Sequence, residues 1–474
     1  MPDPGPSAAP PPETARLRAL LDAQAAAFAA APPPDADRRR TDLARLKAAI
    51  RAGQQRLVRA AAEDFGRRSA SETLINDLGQ AVQAINHARR HLKRWMRPER
   101  RSVGWLLRPG RAEIRFQPKG VIGIMAPWNY PFNLVLVPLV SAIAAGNRAM
   151  VKPSELAPAS AAALAELLAA TFAEDQVAAV LGGPATGAAF AALPFDHLVF
   201  TGSTAVGPKV MRAAAENLVP VTLELGGKSP AIVAPGADPE AAAREIAYGK
   251  LTNGGQTCIA PDYVLVPEPL RPALVAALAA EMARIAPEGG GDPGLTTIID
   301  AGHAERLRAL LAEAEAAGAR VTRIGAPGAG RAIGPALVET LPEGVRLLRE
   351  EIFGPLLPIV GYDGIDAAIA HVNAGPRPLA LYYFGPGGPL LERVLARTVS
   401  GNVTVNGALT HFAVDTLPFG GIGESGMGAC HGEAGFLALS HARGIFHQPR
   451  RSLIPLGRAP GGRFARLTAR LLMR

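Results

Sequence analysis

Residues 148–172, RAMVKPSELAPASAAALAELLAATF, decide the fold. The first six are a short apolar run closed by proline, which has the length and composition of a buried strand. The rest is rich in Ala and Leu and predicts a helix, opened by Ser154 as its cap. The same couplet recurs on both sides. AEIRFQPKGVIGIMAP (112–127) is extended, VAAVLGG (177–183) and DHLVFTG (196–202) are strands, STAVGPKVMRAAAENL (203–218) is a helix, and PVTLELGG (220–227) and PAIVAP (230–235) are strands. Strands alternating with helices predict an α/β fold with a doubly wound, mostly parallel sheet.

From about Thr14 to Arg97 the pattern is helical. LARLKAAIRAGQQRLVRAAAEDFG (43–66) places apolar residues three to four apart, and APPPDAD (31–37) breaks the run. Past residue 225 a second α/β unit begins. AAAREIAYGKLTN and RPALVAALAAEMARIAP predict helices, YVLVP (263–267) a strand, PGAGRAIGPALVETLPEG (327–344) a loop and edge strand, and LLREEIFGPLLPIVGY a return to the sheet.

The totals agree with a multi-domain globular protein. At 474 residues the chain exceeds one compact core, and 48% hydrophobic with 19% charged residues is a core-forming composition. Two cysteines build no disulfide framework, which fits a reducing, cytoplasmic setting. The start, MPDPGPSAAPPPET, has no apolar segment of a signal peptide, and the longest apolar run, LVLVPLVSAIAAG (134–146), is too short to span a bilayer. The net charge is +9. Most of the basic residues are Arg, no Lys follows Lys250, and the densest stretches are Arg38–Arg40, Arg97–Arg101 and the C-terminal tail. This reads as a compositional bias spread along the chain, not as a nucleic-acid footprint. RFARLTARLLMR (463–474) has an amphipathic helical pattern with no evident packing partner.

Several motifs carry no chemistry. GIGESG (421–426) fits G-x-G-x-x-G but follows LPFG, not a strand, and reads as a Gly-rich loop. GGKS (226–229) lacks the first glycine of a phosphate-binding loop, since Thr222 stands there. His87 and His91 are four apart on a helix, without a third ligand; no metal site is predicted.

Cys258 stands apart because its neighbours, NGGQTCIAP (253–261), are small and polar. Glycines allow close backbone approach, and a thiolate is a strong nucleophile. Cys430, in GMGACHGE, has a similar setting, so local composition does not choose between them. Glu224, at a strand end before two glycines, has the chemistry of a general base. Asn129, in APWNYPFNL, has that of an oxyanion donor. The ordinary alternatives are a salt-bridged Glu and a turn Asn.

Seven motifs in order, PWNYP (127–131), KPSE (152–155), FTGST (200–204), LELGGKSP (223–230), GGQTC (254–258), EEIFGP (350–355) and PFGG (418–421), resemble the NAD(P)-dependent aldehyde dehydrogenase superfamily. The resemblance covers roughly residues 15–450. DFGRRSASET (64–73), LPFDHLVFTG (193–202), APDYVLVP (260–267) and RPLALYYFG (377–385) resemble the coniferyl aldehyde dehydrogenase branch, close to class 3 enzymes. It implies Cys258 as nucleophile, Asn129 with the Cys258 N–H as oxyanion hole, and Glu224 as the base that activates water. The path runs from aldehyde through thiohemiacetal and thioester to carboxylic acid. It further implies Lys152 and Glu155 at the adenine ribose, Gly202 and Ser203 at the pyrophosphate, and Glu351 and Phe353 at the nicotinamide end. NAD is the implied cofactor, with NADP open, because Glu155 repels a 2′-phosphate. Trp128, Tyr130, His411 and Phe412 are candidate walls of an aromatic-aldehyde pocket. One departure is Cys430, where the branch has Tyr before His431–Gly432.

The implied organisation is a flexible tail at 1–12, a Rossmann-like cofactor domain at 13–100 and 119–224, a catalytic domain at 225–408, a β oligomerisation region at 101–118 and 409–450, and a basic tail at 451–474. WLLRPGRAEIRF reads as a hairpin arm, and a homodimer or dimer of dimers is expected. The expected function is oxidation of coniferyl aldehyde to ferulate. The rivals are a broad fatty or aliphatic aldehyde dehydrogenase and a non-catalytic scaffold on the same fold.

Overall fold

A computed structural model describes residues 12–286, 295–325, 328–450 and 462–473. Residues 1–11 of the expected tail lie outside them. Three sheets organise the described residues. The six-stranded sheet runs Gly426–Met427, Val221–Glu224, His197–Thr201, Val121–Met125, Arg148–Lys152, Val177–Ala179. Its strands are parallel except for the short Gly426–Met427, which lies antiparallel to Val221–Glu224. The chain enters this sheet in the middle, at Val121–Met125, winds outward through Arg148–Lys152 and Val177–Ala179, then crosses to the other side at His197–Thr201. The doubly wound α/β expectation is therefore met. The reversal of winding opens a crevice beyond the carboxyl ends of Val121–Met125 and His197–Thr201, where open α/β sheets take ligands. Asn129 and Gly202 follow those two ends.

Helices cover both faces. Ala36–Phe65, Gln80–Trp95, Asn133–Ala145 and Pro158–Thr171 pack on one, through Leu46, Ile85, Leu136 and Leu164, all buried. Pro12–Ala30 reaches the opposite face, where Leu17 and Leu21 join the core. Asn133–Ala145 is apolar all round because nearly every residue in it is buried. The helix after the strand at 148–152 begins at Pro158, not at Ser154. Ser154 instead closes a turn, its hydroxyl accepting from Leu156 N–H at 3.2 Å, and a proline at the first helical position suits the missing donor there.

The seven-stranded sheet is built from residues 230–405, in the order Arg320–Arg323, Ala336–Glu339, Leu356–Tyr362, Tyr263–Pro267, Pro230–Val233, Ala380–Phe384, Asn402–Val405. All pairs are parallel except the first. Ala336–Glu339, expected at an edge, is internal and fully buried, and the edge is Arg320–Arg323. A third sheet joins Glu99–Arg101, Arg111–Pro118 and Ser440–His447 antiparallel; the hairpin expected within WLLRPGRAEIRF instead takes its first strand from Glu99–Arg101, and Trp105–Leu107 is a helical turn in the connection. The region expected for oligomerisation also sends Gly426–Met427 into the six-stranded sheet and Phe436 into its core.

Candidate active site

Cys258 sits after a turn that needs glycine at two positions. The helix Pro239–Leu251 ends, and Asn253, Gly254 and Gly255 follow with φ of 53°, 62° and 79°. A Cβ on Gly255 would lie 2.4 Å from the Gly354 backbone, and one on Gly254 2.4 Å from Thr296 O. Gln256 then staples the turn. Its amide donates to Asn253 O (2.8 Å) and Thr297 O (3.1 Å), and its Oε1 accepts from Ile299 N–H (2.9 Å).

The 127–131 loop is stitched to this turn. Asn129 Nδ2 donates to Gln256 O at 3.1 Å, and Asn129 O accepts from Asn253 Nδ2 and Arg68 Nη1, both at 2.9 Å. Tyr130 and Thr257 share a hydroxyl bond of 2.8 Å. The Arg68 guanidinium lies 4.7 Å from the centroid of the Phe65 ring and 5.2 Å from that of Tyr130, and it faces Asp77 across 3.5 Å. Burial raises the Asp77 carboxyl to about 6, against the opposing pull of Arg68 and of the Asn133 and Phe132 N–H groups.

Two cavities meet at Cys258. One, of about 250 Å³, is lined by Asn129, Glu224, Glu351, Arg306, Trp128 and Phe353, with Gly202 and Ser203 at its wall. It is the crevice at the winding reversal. The other, of about 200 Å³, is lined by Tyr130, Phe412, Leu134, Ile259 and Ile75. The structure thus brings Cys258, Glu224, Asn129, Gly202, Ser203, Glu351, Phe353 and Trp128 around one space. Lys152 and Glu155 lie outside this wall, paired to each other at 3.2 Å at the end of their strand. Of the proposed pocket aromatics, Tyr130 and Phe412 line the apolar cavity. Trp128 belongs to the polar one, edge-on to Phe353 at 5.5 Å. His411 lines neither. It is buried, held by Thr404 at 2.7 Å and stacked on Phe419, and burial lowers its pKa to about 4. Gly202 and Ser203 form a turn, with Ser203 O accepting from Val206 and Gly207 N–H; the helix itself begins at Gly207, later than expected.

Glu224 is 3% exposed, and neither carboxylate oxygen has a nitrogen or oxygen partner among the described residues. Burial lifts its pKa well above the usual carboxylate range, and the Cys430 thiol beside it opposes the shift. Burial, then the charges of Glu351 and Glu224, push the Cys258 thiol up to about 12. At rest the sulfur is a protonated thiol, so attack on a carbonyl requires a base to take its proton. Burial, then Asp262, raise Glu351 to about 8, against Gly227 N–H, Lys228 and Arg306. A Cβ on Gly226 would lie 2.2 Å from the Glu351 carboxylate, so glycine there makes room for it.

Sequence reasoning missed the contacts that hold the segment around Glu351. Lys228 Nζ donates to Asp262, to Leu347 O (3.0 Å) and to Glu350 O (2.9 Å), and Asp262 accepts from Ile352 N–H (3.0 Å). Three acceptors satisfy an ammonium's three donors, which explains a lysine in an Arg-rich chain. His303 and Arg306, also lining the polar cavity, carried no motif.

Residues 11–445 match the sequence profile described as the aldehyde dehydrogenase family. The chain belongs to the aldehyde dehydrogenase family. It is 46% identical over 438 residues to a probable coniferyl aldehyde dehydrogenase of Pseudomonas aeruginosa, covering 92% of each chain. It is 46% identical over 414 residues to the coniferyl aldehyde dehydrogenase of a Pseudomonas species, covering 86% of this chain and 85% of that one. The substrate-bound state of Staphylococcus aureus AldH is similar in structure, with a TM-score of 0.87 at 36% identity over 91% of this chain and 94% of that one. This aldehyde dehydrogenase is accordingly an NAD(P)-dependent oxidoreductase that acts on aldehydes.

Proposed function

We propose that this aldehyde dehydrogenase oxidises coniferyl aldehyde, or an aromatic propenal like it, to the acid, with NAD preferred over NADP. The observation that carries the reading is Cys258 at the junction of a polar and an apolar cavity. The apolar side suits an aromatic aldehyde, with Tyr130 and Phe412 against its ring. The named substrates of the Pseudomonas relatives support that choice.

Cys258 Sγ attacks the aldehyde carbon, and its proton passes to Glu224. The negative oxygen is met by the Cys258 N–H and by Asn129 Nδ2, whose second proton has no partner among the described residues. When bound, the nicotinamide cofactor supplies the hydride acceptor that makes the thiohemiacetal a thioester. Glu224 releases the thiol's proton to solvent and then takes one from water as the water oxygen attacks the thioester; that proton passes to the departing sulfur, and the acid leaves with the thiol restored. Buried Glu351 Oε1 has no partner among the described residues and fits a ribose hydroxyl. Gly202 and Ser203 offer the turn for a pyrophosphate. Lys152 and Glu155 would hold the adenine ribose, and the carboxylate opposes a 2′-phosphate.

The same reading assigns the cofactor domain to 13–100 and 119–224, the catalytic domain to 225–408, and pairing of subunits to the antiparallel arm. A homodimer or dimer of dimers follows, to be measured by light scattering. The deciding assay is NADH or NADPH formation with coniferyl aldehyde, hexanal and acetaldehyde, each with NAD and NADP. Preference for coniferyl aldehyde supports the substrate. Faster turnover of hexanal replaces it with an aliphatic aldehyde. Inactivity with every aldehyde sinks the catalytic reading.

A further inference from the structure

The net charge is not spread along the chain, contrary to the expectation from composition. After Glu433 the sequence has eight arginines and no acidic residue. Eight of the nine net positive charges therefore fall in the last tenth of the protein. Part of that stretch, Arg463–Leu472, is a helix, RFARLTARLL. At 100° per residue its arginines, 463, 466 and 470, fall on one side, while Leu467, Leu471 and Leu472 fall on the other. The arginines are exposed. So is the apolar side: Leu467 is 54% exposed, Leu471 50% and Leu472 62%, and Met473 beyond the helix is 87% exposed. A folded chain does not leave its most segregated apolar face in water without a partner to cover it.

We propose that this helix docks flat on an anionic lipid bilayer, with Leu467, Leu471 and Leu472 in the acyl boundary and Arg463, Arg466 and Arg470 at the headgroups. Charge complementarity selects the occupant. A second copy of the chain would bring the same arginines and the same absence of carboxylates, so pairing of two tails is repulsive. A bilayer of negative headgroups meets both faces of the helix at once. The helix has ten residues, about half of what spanning a bilayer takes, so it lies on the surface. Among the described residues no helix is long and apolar enough to cross a membrane. The docking does not depend on which aldehyde is oxidised.

The test is sedimentation of the full-length protein with vesicles of phosphatidylcholine alone and of phosphatidylcholine with phosphatidylglycerol, at low and high salt. The protein should pellet with the anionic vesicles, and salt should weaken this, because screening acts on exposed charges. Neutralising all three arginines to Gln should weaken binding on the order of a hundredfold. Leu467→Asp with Leu471→Asp should abolish it. Both variants should keep wild-type aldehyde oxidation in solution, which shows that they fold. Equal pelleting with both vesicle types overturns the proposal, as does pelleting of the Leu variant at the wild-type level. Absence of pelleting also overturns it, and if the Leu variant then changes the oligomeric mass, the face belongs to a protein contact.

Discussion

The two cavities that meet at Cys258 share a sulfur and little else. One is walled by Glu224, Glu351, Arg306 and the backbone of a winding reversal, the other by Tyr130, Phe412, Ile75 and Ile259, with Leu134 bordering both. The polar one holds buried carboxyl oxygens without a nitrogen or oxygen partner among the described residues, both at Glu224 and Oε1 at Glu351. Burying such groups unpaired is costly, and a fold that keeps two of them has a use for their lone pairs. No charged side chain is among those that line the apolar one, and of its polar groups the Tyr130 and Thr257 hydroxyls are already bonded to each other. The difference teaches where selectivity resides: hydrogen bonding and charge on one side of the sulfur, shape and apolar area on the other.

The most severe way to break this arrangement is to remove the atom both sides share. Cys258→Ala should lower aldehyde oxidation by at least about 10⁴-fold, as loss of a nucleophile does elsewhere. Dinucleotide binding, followed by calorimetry, should persist, because the polar wall is untouched. Oxidation within tenfold of wild type would remove Cys258 from the mechanism. Next comes the base. Glu224→Gln should slow turnover about 10²–10⁴-fold. If attack still occurs, an acyl adduct on Cys258 should accumulate, visible by mass spectrometry. The wild-type pH profile carries a sign. Because burial raises the Glu224 pKa, the carboxylate that accepts protons forms only as pH rises above the ordinary carboxylate range. Activity should climb with pH on that limb, and Glu224→Gln should flatten it. An unchanged limb in the variant would assign it to another group.

A gentler pair of variants separates the two sides. Phe412→Ala should raise KM for coniferyl aldehyde about three- to tenfold, the worth of one aromatic contact, and leave KM for NAD unchanged. Trp128→Ala should do the reverse, because its ring stands edge-on to Phe353 in the polar cavity. If both changes moved the same KM, the division into a cofactor side and a substrate side would fail.

What was legible in the sequence follows from range. Buried parallel strands such as VIGIM and YVLVP announce themselves within five residues, so the doubly wound sheet could be read directly. The GGQTC turn is also local: its glycines take positive φ, and its glutamine bonds to Asn253, three residues back. The network behind Glu351 is not local. Lys228 meets Asp262 34 residues on and Leu347 119 residues on, and no short pattern encodes that. Arg68 reaches Asn129 from 61 residues away. His303 and Arg306 sit on the ordinary amphipathic helix Ala301–Ala316 and become part of a cavity only when that helix is placed. Ser154 misled because a serine that closes a turn and one that caps a helix look alike until the proline four residues later is weighed. The sorting of Trp128 and Tyr130 to opposite cavities depends on backbone direction around Asn129, which side-chain chemistry does not reveal.

The smallest effect tests the choice between the two cysteines. Cys430 lines a third space, of about 20 Å³, which it shares with Glu224 and Cys258, and it borders neither of the two larger cavities. Burial and the Glu224 charge push its thiol well above the ordinary range, and its Sγ, 3.5 Å from His431 Nδ1, shares this space with the Glu224 carboxylate. A thiol is a weak donor, so Cys430→Ala should cost less than about tenfold at any pH. The loss should be uneven. Without the thiol proton, nothing opposes burial at Glu224, so its pKa rises further and the activity limb moves to higher pH. Cys430→Ser should restore the limb, because a hydroxyl donates at least as well. A uniform loss across pH would make Cys430 a packing residue, and a loss as deep as that of Cys258→Ala would overturn the assignment of the nucleophile.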